Sequence, residues 1–141
     1  MLDLNKVCFK QGDFRLTADF SVPTGARVAV IGPSGGGKST LLNGIAGFIV
    51  TDLGQVLWAD KPMPDHPGKR PLSILFQDHN LFPHLSVMNN VAIGISPNMR
   101  LSHSQRHEVS LALEKVGLAD KSASFPRDLS GGQQGRVGLA R

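Results

Sequence analysis

The stretch Arg27-Val28-Ala29-Val30-Ile31-Gly32-Pro33-Ser34-Gly35-Gly36-Gly37-Lys38-Ser39-Thr40-Leu41-Leu42 decides the reading of this chain. Its first five residues form a short β-branched run without alternation, the pattern of a strand buried on both faces, as in a parallel sheet. Six residues containing four glycines follow, and then Lys38 to Ala46 read as a helix with Leu41, Leu42 and Ile45 on one face. Gly32 to Ser39 match G-x-x-x-x-G-K-[ST]. Glycines let successive backbone N–H groups turn inward onto phosphate oxygens, and the helix that follows adds its positive end. In such a loop the lysine, Lys38, reaches the terminal phosphates, and the hydroxyl of Ser39 can bind Mg²⁺. Gly32-Pro33-Ser34-Gly35-Gly36 also fits the hydrolase elbow G-x-S-x-G, but that reading leaves Gly37-Lys38-Ser39 unexplained.

Outward from this loop the chain reads as mixed α/β. Residues 19–22 alternate like a strand, and Pro23-Thr24-Gly25 is a turn signal. Gly54 to Asp60 alternate again, residues 61–70 hold three prolines in a loop, and Leu72 to Phe76 form a second candidate for a buried strand. Beyond Gln77 the pattern turns helical. One helix is expected over Val87–Ile95 and another over about Ser102–Val116. The second opens on a capping box of Ser102 and Gln105, carries a stripe of Val109, Ala112, Leu113 and Val116, and stops at Gly117. Leu129-Ser130-Gly131-Gly132-Gln133 opens a last helix with a second glycine turn, hence a second potential anion site.

Composition narrows the class. The chain has 141 residues, one domain's worth, and 15 Lys+Arg against 11 Asp+Glu give +4 without any run of five like charges. That surplus suits a phosphate ligand, and with its charges scattered it gives little support for nucleic acid as a partner. Cys8 alone cannot form an internal disulfide, no signal peptide is visible, and the longest mostly apolar stretch, Leu41 to Val50, is too short to cross a bilayer. His103 and His107 have zinc-pair spacing, but Ser104 stands where H-E-x-x-H has Glu, so a solvated helix face is the expectation. Cys8 is expected to be a small buried side chain, and Lys69-Arg70 a solvated basic pair.

Two glycine turns 98 positions apart suggest one nucleotide site shared between two copies of the chain. The loop at 32–39, a Gln77 loop and Leu129 to Gln133 continuing to Arg141 together resemble the ATP-binding subunits of ABC transporters over the whole length. Residues 75–87 (LFQDHNLFPHLSV) and Ile45-Ala46-Gly47-Phe48 are most similar to the importer branch, the thiamine importers in particular.

The resemblance implies a P-loop NTPase of the α/β class: a RecA-like core with an N-terminal antiparallel β-subdomain, divided as 1–77 for these two, 78–128 for an inserted helical subdomain and 129–141 for the signature motif. It implies ATP and Mg²⁺ as ligands, with Gly32, Pro33, Ser34, Gly35, Gly36, Gly37, Lys38, Ser39 and Thr40 on the phosphates and Ser39 and Gln77 near the metal. Ser130, Gly131, Gly132 and Gln133 would close on the ATP of the opposite subunit, so that Lys38, Gln77 and Ser130 carry the catalytic roles. Adenine would stack on Phe9, 23 positions before Gly32, with Phe14 as the fallback.

The implied partners are a second copy, head to tail, an integral membrane permease and, indirectly, a periplasmic solute-binding protein, at the cytoplasmic face of a bacterial inner membrane. Leu81, Phe82, Leu85 and Val87 would be either core or part of the permease interface. The implied activity is ATP hydrolysis that drives solute uptake, thiamine on this resemblance; the alternatives are another small solute or a non-catalytic nucleotide-binding remnant. In the family a strand ending in Asp-Glu, a D-loop and a switch histidine follow the signature helix. They are expected to lie past Arg141, which would leave this chain short at its C-terminus and inactive alone.

Overall fold

The computed structural model describes residues 1–77 and 80–141. Asp78 and His79, inside the stretch quoted for the importer resemblance, lie outside the described residues. The chain divides into two units, Met1–Ile74 and Leu75–Arg141.

The first unit is built on an antiparallel sheet of order β2-β1-β3-β4, formed by β1 (Leu2–Gln11), β2 (Phe14–Val22), β3 (Thr51–Trp58) and β4 (Lys61–Pro62). The β1–β2 hairpin closes on the two residues Gly12-Asp13. Gly12 sits at φ +60°, the glycine-first placement of a type II′ turn. Strict alternation from Leu4 would send Lys6 and Cys8 into the core. The structure instead packs Leu4, Val7 and Phe9 into one core, at 1%, 0% and 0% exposure, while Cys8 is also buried, as expected. The register shifts between Leu4 and Val7, where Lys6 stands at φ 46°, so a bulge absorbs one residue and resets the pleat. Gly54 accommodates it from β3: its φ is +76°, and a Cβ there would lie 2.3 Å from the Lys6 carbonyl oxygen.

α1 (Lys38–Ala46) covers this sheet, as its apolar face predicts. Leu41 is buried with Leu4, Val7, Phe9, Val56 and Met63, and Ile45 packs beside them. Gly44 lies against the ring of Phe9, where a Cβ would come within 2.5 Å of ring carbons. The helix ends in a Schellman motif at Gly47, with Phe48 N–H donating to the Asn43 carbonyl (2.9 Å) and Gly47 N–H to that of Gly44 (3.1 Å). Arg70 closes the same end: its Nη1 donates to the carbonyls of Gly44 (2.9 Å) and Ile45 (2.6 Å) and its Nε to Pro64 (2.7 Å). It is therefore a helix cap and not the solvated charge expected. Burial pushes its guanidinium below the usual pKa, against the opposite pull of Asp65.

Two expected strands do not form. Residues 27–31 carry no ladder, and Val28, Val30 and Ile31 are 60%, 40% and 91% exposed. Residues 72–76 are likewise outside the sheet, with Leu75 exposed. A strand buried on both faces needs hydrogen-bonding neighbours. Among the described residues the only sheet is the antiparallel one, and it does not extend to either segment.

The second unit is helical: α2 (Val87–Ile95), α3 (His103–Lys115) and α4 (Gly131–Ala140). Val87, Val91, Val109, Leu113, Leu118 and Val137 make its core. Each helix opens on a serine, Ser86, Ser102 or Ser130, whose hydroxyl accepts a backbone N–H of the first turn. The expected capping box of Ser102 and Gln105 is present, and Gly117, at φ +68°, closes α3 in a Schellman motif with Leu118 N–H on the Leu113 carbonyl (2.9 Å). Asn90 is fully buried and pins residues 82–86 to α2. Its Oδ1 accepts Phe82 N–H (2.7 Å) and its Nδ2 donates to the carbonyls of Phe82, Leu85 and Ser86 (3.0–3.1 Å).

Candidate functional site

The glycine loop meets α1 through Gly37, the N-cap, in the left-handed region at φ 85°. The position tolerates only glycine on two counts. Its φ disfavours any Cβ, and a Cβ would lie 3.0 Å from Leu16 Cδ1 and from Phe14 Cζ. Gly35 is also left-handed, at φ +77°, and Gly36 N–H returns to the Pro33 carbonyl at 3.1 Å. No side chain caps α1, and no acidic residue occupies its first turn. Its N-terminal donors and dipole are thus left for an anion.

Lys38 folds back over the loop, with Nζ donating to the carbonyls of Gly32 (2.8 Å) and Pro33 (2.6 Å). The ammonium keeps the loop curled. To reach a phosphate it would exchange those two neutral carbonyl acceptors for charged phosphate oxygens, the stronger partners for an ammonium. Ser39 is exposed and Thr40 half-buried. In front of the loop lies a cavity of about 430 Å³, lined by residues 34–40 and, from the hairpin, by Gln11 and Phe14. Among the described residues no histidine or carboxylate lines it, so the G-x-S-x-G reading, which needs both beside Ser34, finds no partners among them.

Phe9, the expected adenine contact, is not available to a ligand. It is fully buried beneath Gly44 of α1. The pleat explains it: Val7 opposite Ala18, Phe9 opposite Leu16 and Gln11 opposite Phe14 form one row on the face that α1 covers. Only the last pair of that row lines the cavity. Phe14, 41% exposed, is the aromatic ring at the cavity. Gln11 went unnoticed in the sequence, because nothing local distinguishes it from any polar residue next to a turn.

The second glycine turn lies in the helical unit. Ser130 caps α4: its Oγ accepts Gln133 N–H (3.3 Å) and its own N–H donates to Gln133 Oε1 (2.8 Å). Gly131 and Gly132 are exposed, with open space where a Cβ would stand. Gln134 anchors the preceding loop, donating to the carbonyls of Pro126 (2.9 Å) and Leu129 (3.3 Å), and Arg136 Nη1 donates to the Val116 carbonyl at the end of α3 (3.0 Å). Gln77 is exposed in a turn at the start of this unit. Phe82, 42% exposed, stands edge-on to His84 with ring centroids 6.0 Å apart. No group of three or more His, Cys, Asp or Glu is placed to hold a metal among the described residues; His103 and His107 lie one turn apart in α3, both exposed. Ser39 supplies one hydroxyl oxygen, enough for a Mg²⁺ that takes its other ligands from phosphates and water.

A glycine loop that curls over the uncapped start of a helix, on a domain of α/β type, defines a P-loop nucleotide-binding domain. The chain belongs to the ABC transporter family, whose model matches residues 16–141. It is 53% identical over 142 aligned positions to the thiamine import ATP-binding protein ThiQ of Cereibacter sphaeroides, covering 100% of this chain and 62% of that one. It is 49% identical to ThiQ of Jannaschia sp., with the same coverage, and 44% identical to that of Haemophilus influenzae, of which it covers 66%. The chain thus spans about three fifths of the length of these relatives. Among solved structures, cbiO1 of Clostridium perfringens, part of the ABC transporter complex cbiONQ, matches with TM-score 0.82 and 27% identity over 99% of this chain and 59% of that one. The ATP-binding cassette MJ0796, solved as a dimer in a post-hydrolysis state with ADP and Pi, matches with TM-score 0.74 and 27% identity over 99% of this chain and 68% of that one. No helix among the described residues is long and apolar enough to cross a membrane.

Proposed function

We propose that this chain is the nucleotide-binding portion of an ATP-binding subunit that powers solute import through a membrane permease, with thiamine as the solute. The observation that carries the proposal is the 53% identity to a thiamine import ATP-binding protein along the entire chain, phosphate loop and signature turn included.

In this reading the N–H groups of residues 32–37 and the start of α1 cradle the ATP phosphates. Lys38 turns from the Gly32 and Pro33 carbonyls onto the terminal phosphates. Ser39 holds Mg²⁺, which neutralises charge on the β- and γ-phosphates; Gln77 lies near it, and Thr40 contacts phosphate. Phe14 replaces Phe9 as the ring on which adenine stacks. Ser130, with its Oγ already accepting Gln133 N–H, keeps its hydroxyl proton free to donate to a γ-phosphate, beside the N–H groups of Gly131, Gly132 and Gln133 at the start of α4. The two glycine turns serve one nucleotide when two copies pair head to tail, as 32–40 of one copy face 130–133 of the other. The division into a β-subdomain and loop core (1–77), a helical subdomain (78–128) and a signature segment (129–141) follows the same assignment. So does a peripheral position at the cytoplasmic face of a bacterial inner membrane, with the permease and a periplasmic solute-binding protein as partners.

The test is equilibrium binding of a fluorescent ATP analogue, followed by thiamine uptake in cells that carry the gene at its full length. Saturable Mg²⁺-dependent binding that Lys38→Ala removes, together with uptake lost on deletion of the gene, is the expected result. Binding with uptake of thiamine intact would move the substrate to another small solute; absence of binding would overturn the reading itself.

A further inference from the structure

We infer that Gln11 reads the base of the bound nucleotide and sets a preference for adenine over guanine. The inference rests on the nucleotide-binding reading of the glycine loop and goes beyond it.

Apart from residues 34–40, the cavity has two walls, Gln11 and Phe14. They are a directly opposed pair, the last in the row that begins with Val7–Ala18 and Phe9–Leu16. Side chains of such a pair share one face, with Cβ atoms about 5 Å apart. The two-residue turn on Gly12 fixes both ends of the pair, so ring and amide are presented together. A triphosphate seated on the loop and the start of α1 leaves its nucleoside to fill the rest of the 430 Å³, toward the hairpin. A base lying on the Phe14 ring then has one edge toward Gln11.

The chemistry of the amide suits a base edge better than a phosphate. A phosphate needs donors alone, and the loop N–H groups and Lys38 provide them. Gln11 offers an acceptor beside a donor on a planar amide. Adenine presents the complement, an N6–H donor next to the acceptor N7. Guanine presents two acceptors, O6 and N7, at that edge, and the amide oxygen would face one of them. A mismatch of that kind leaves a polar pair unmade, the strongest source of discrimination a site of this size can build.

The experiment is competition of ATP and of GTP against a ribose-labelled fluorescent ATP on the 141-residue chain, its Gln11→Ala variant and its Gln11→Glu variant. The parent is expected to prefer ATP. Gln11→Ala should lower ATP affinity about tenfold and leave GTP affinity within about twofold. Gln11→Glu, an acceptor only, keeps a partner for adenine's N6–H but faces acceptors at both O6 and N7 of guanine, so it should weaken GTP binding more than ATP binding. An ATP:GTP ratio unchanged in both variants overturns the inference while leaving the phosphate loop standing. A parent that binds neither nucleotide overturns the nucleotide reading, and the inference with it.

Discussion

Gly44 and Phe9 show how a single atom decides a site. Alanine is a better helix former than glycine by about 1 kcal/mol, so helix propensity favours Gly44→Ala. The ring of Phe9 lies 2.5 Å from where that Cβ would stand, and overpacking of this kind costs about 1–3 kcal/mol. Gly44→Ala is therefore expected to lower the melting temperature, and Gly44→Ala with Phe9→Leu to recover most of the loss; a raised melting temperature in the single variant would contradict the packing. The same contact removes Phe9 from the nucleotide's reach. The position 23 before Gly32 lies on the same strand and face as Gln11, one cross-strand pair short of the cavity, because no count along the chain shows how far α1 extends over the row. Lys38 belongs to this scale too. Lys38→Ala should reduce ATP-analogue affinity at least about tenfold, the loss of a charge-assisted contact, with circular dichroism unchanged.

At the level of elements, the helices were the most legible part. α1 and α2 run over the residues the apolar pattern marks, Lys38–Ala46 and Val87–Ile95, and α3 starts at its capping box. Each of these signals acts within a few residues: a side-chain oxygen three positions from an orphan N–H, a glycine at a left-handed stop. Asn90 was not legible, since its partners lie four to eight residues back in a loop. Asn90→Ala would strand the Phe82 N–H and several carbonyls, at about 2–3 kcal/mol. Urea unfolding should show that loss as a lower midpoint at constant slope, and Asn90→Asp, which keeps the acceptor but not the donors, should recover only part of it. Gly135 and Gly138, inside α4, each cost about 0.8–1 kcal/mol relative to alanine. Nothing among the described residues explains their presence, and replacing both with alanine should raise the melting temperature.

On the scale of the whole molecule, the antiparallel sheet under α1 and the three-helix unit each carry their own core. The segment 27–31 does not share in either. Val28, Val30 and Ile31 stand exposed in sequence that reads as strand, an apolar stretch of the kind that associates with another surface. Self-association that grows with concentration is expected in sedimentation velocity, and Ile31→Lys should reduce it; a monomer at all concentrations for both proteins would rule that stretch out as the contact.

The division between sequence and structure follows the range of the interactions. Sequence alone determined the phosphate loop, the helices with the Ser102 cap and the Gly117 stop, and the family resemblance, because each is written in residues within a turn or two of one another. Tertiary structure alone decided that Phe14 and Gln11 line the cavity and Phe9 does not, that Arg70 closes α1 from 25 or 26 residues away, and that 27–31 carries no ladder. The bulge at Lys6, the cross-strand register and the reach of one helix over a sheet set those outcomes, and each is a distance between residues far apart in the chain.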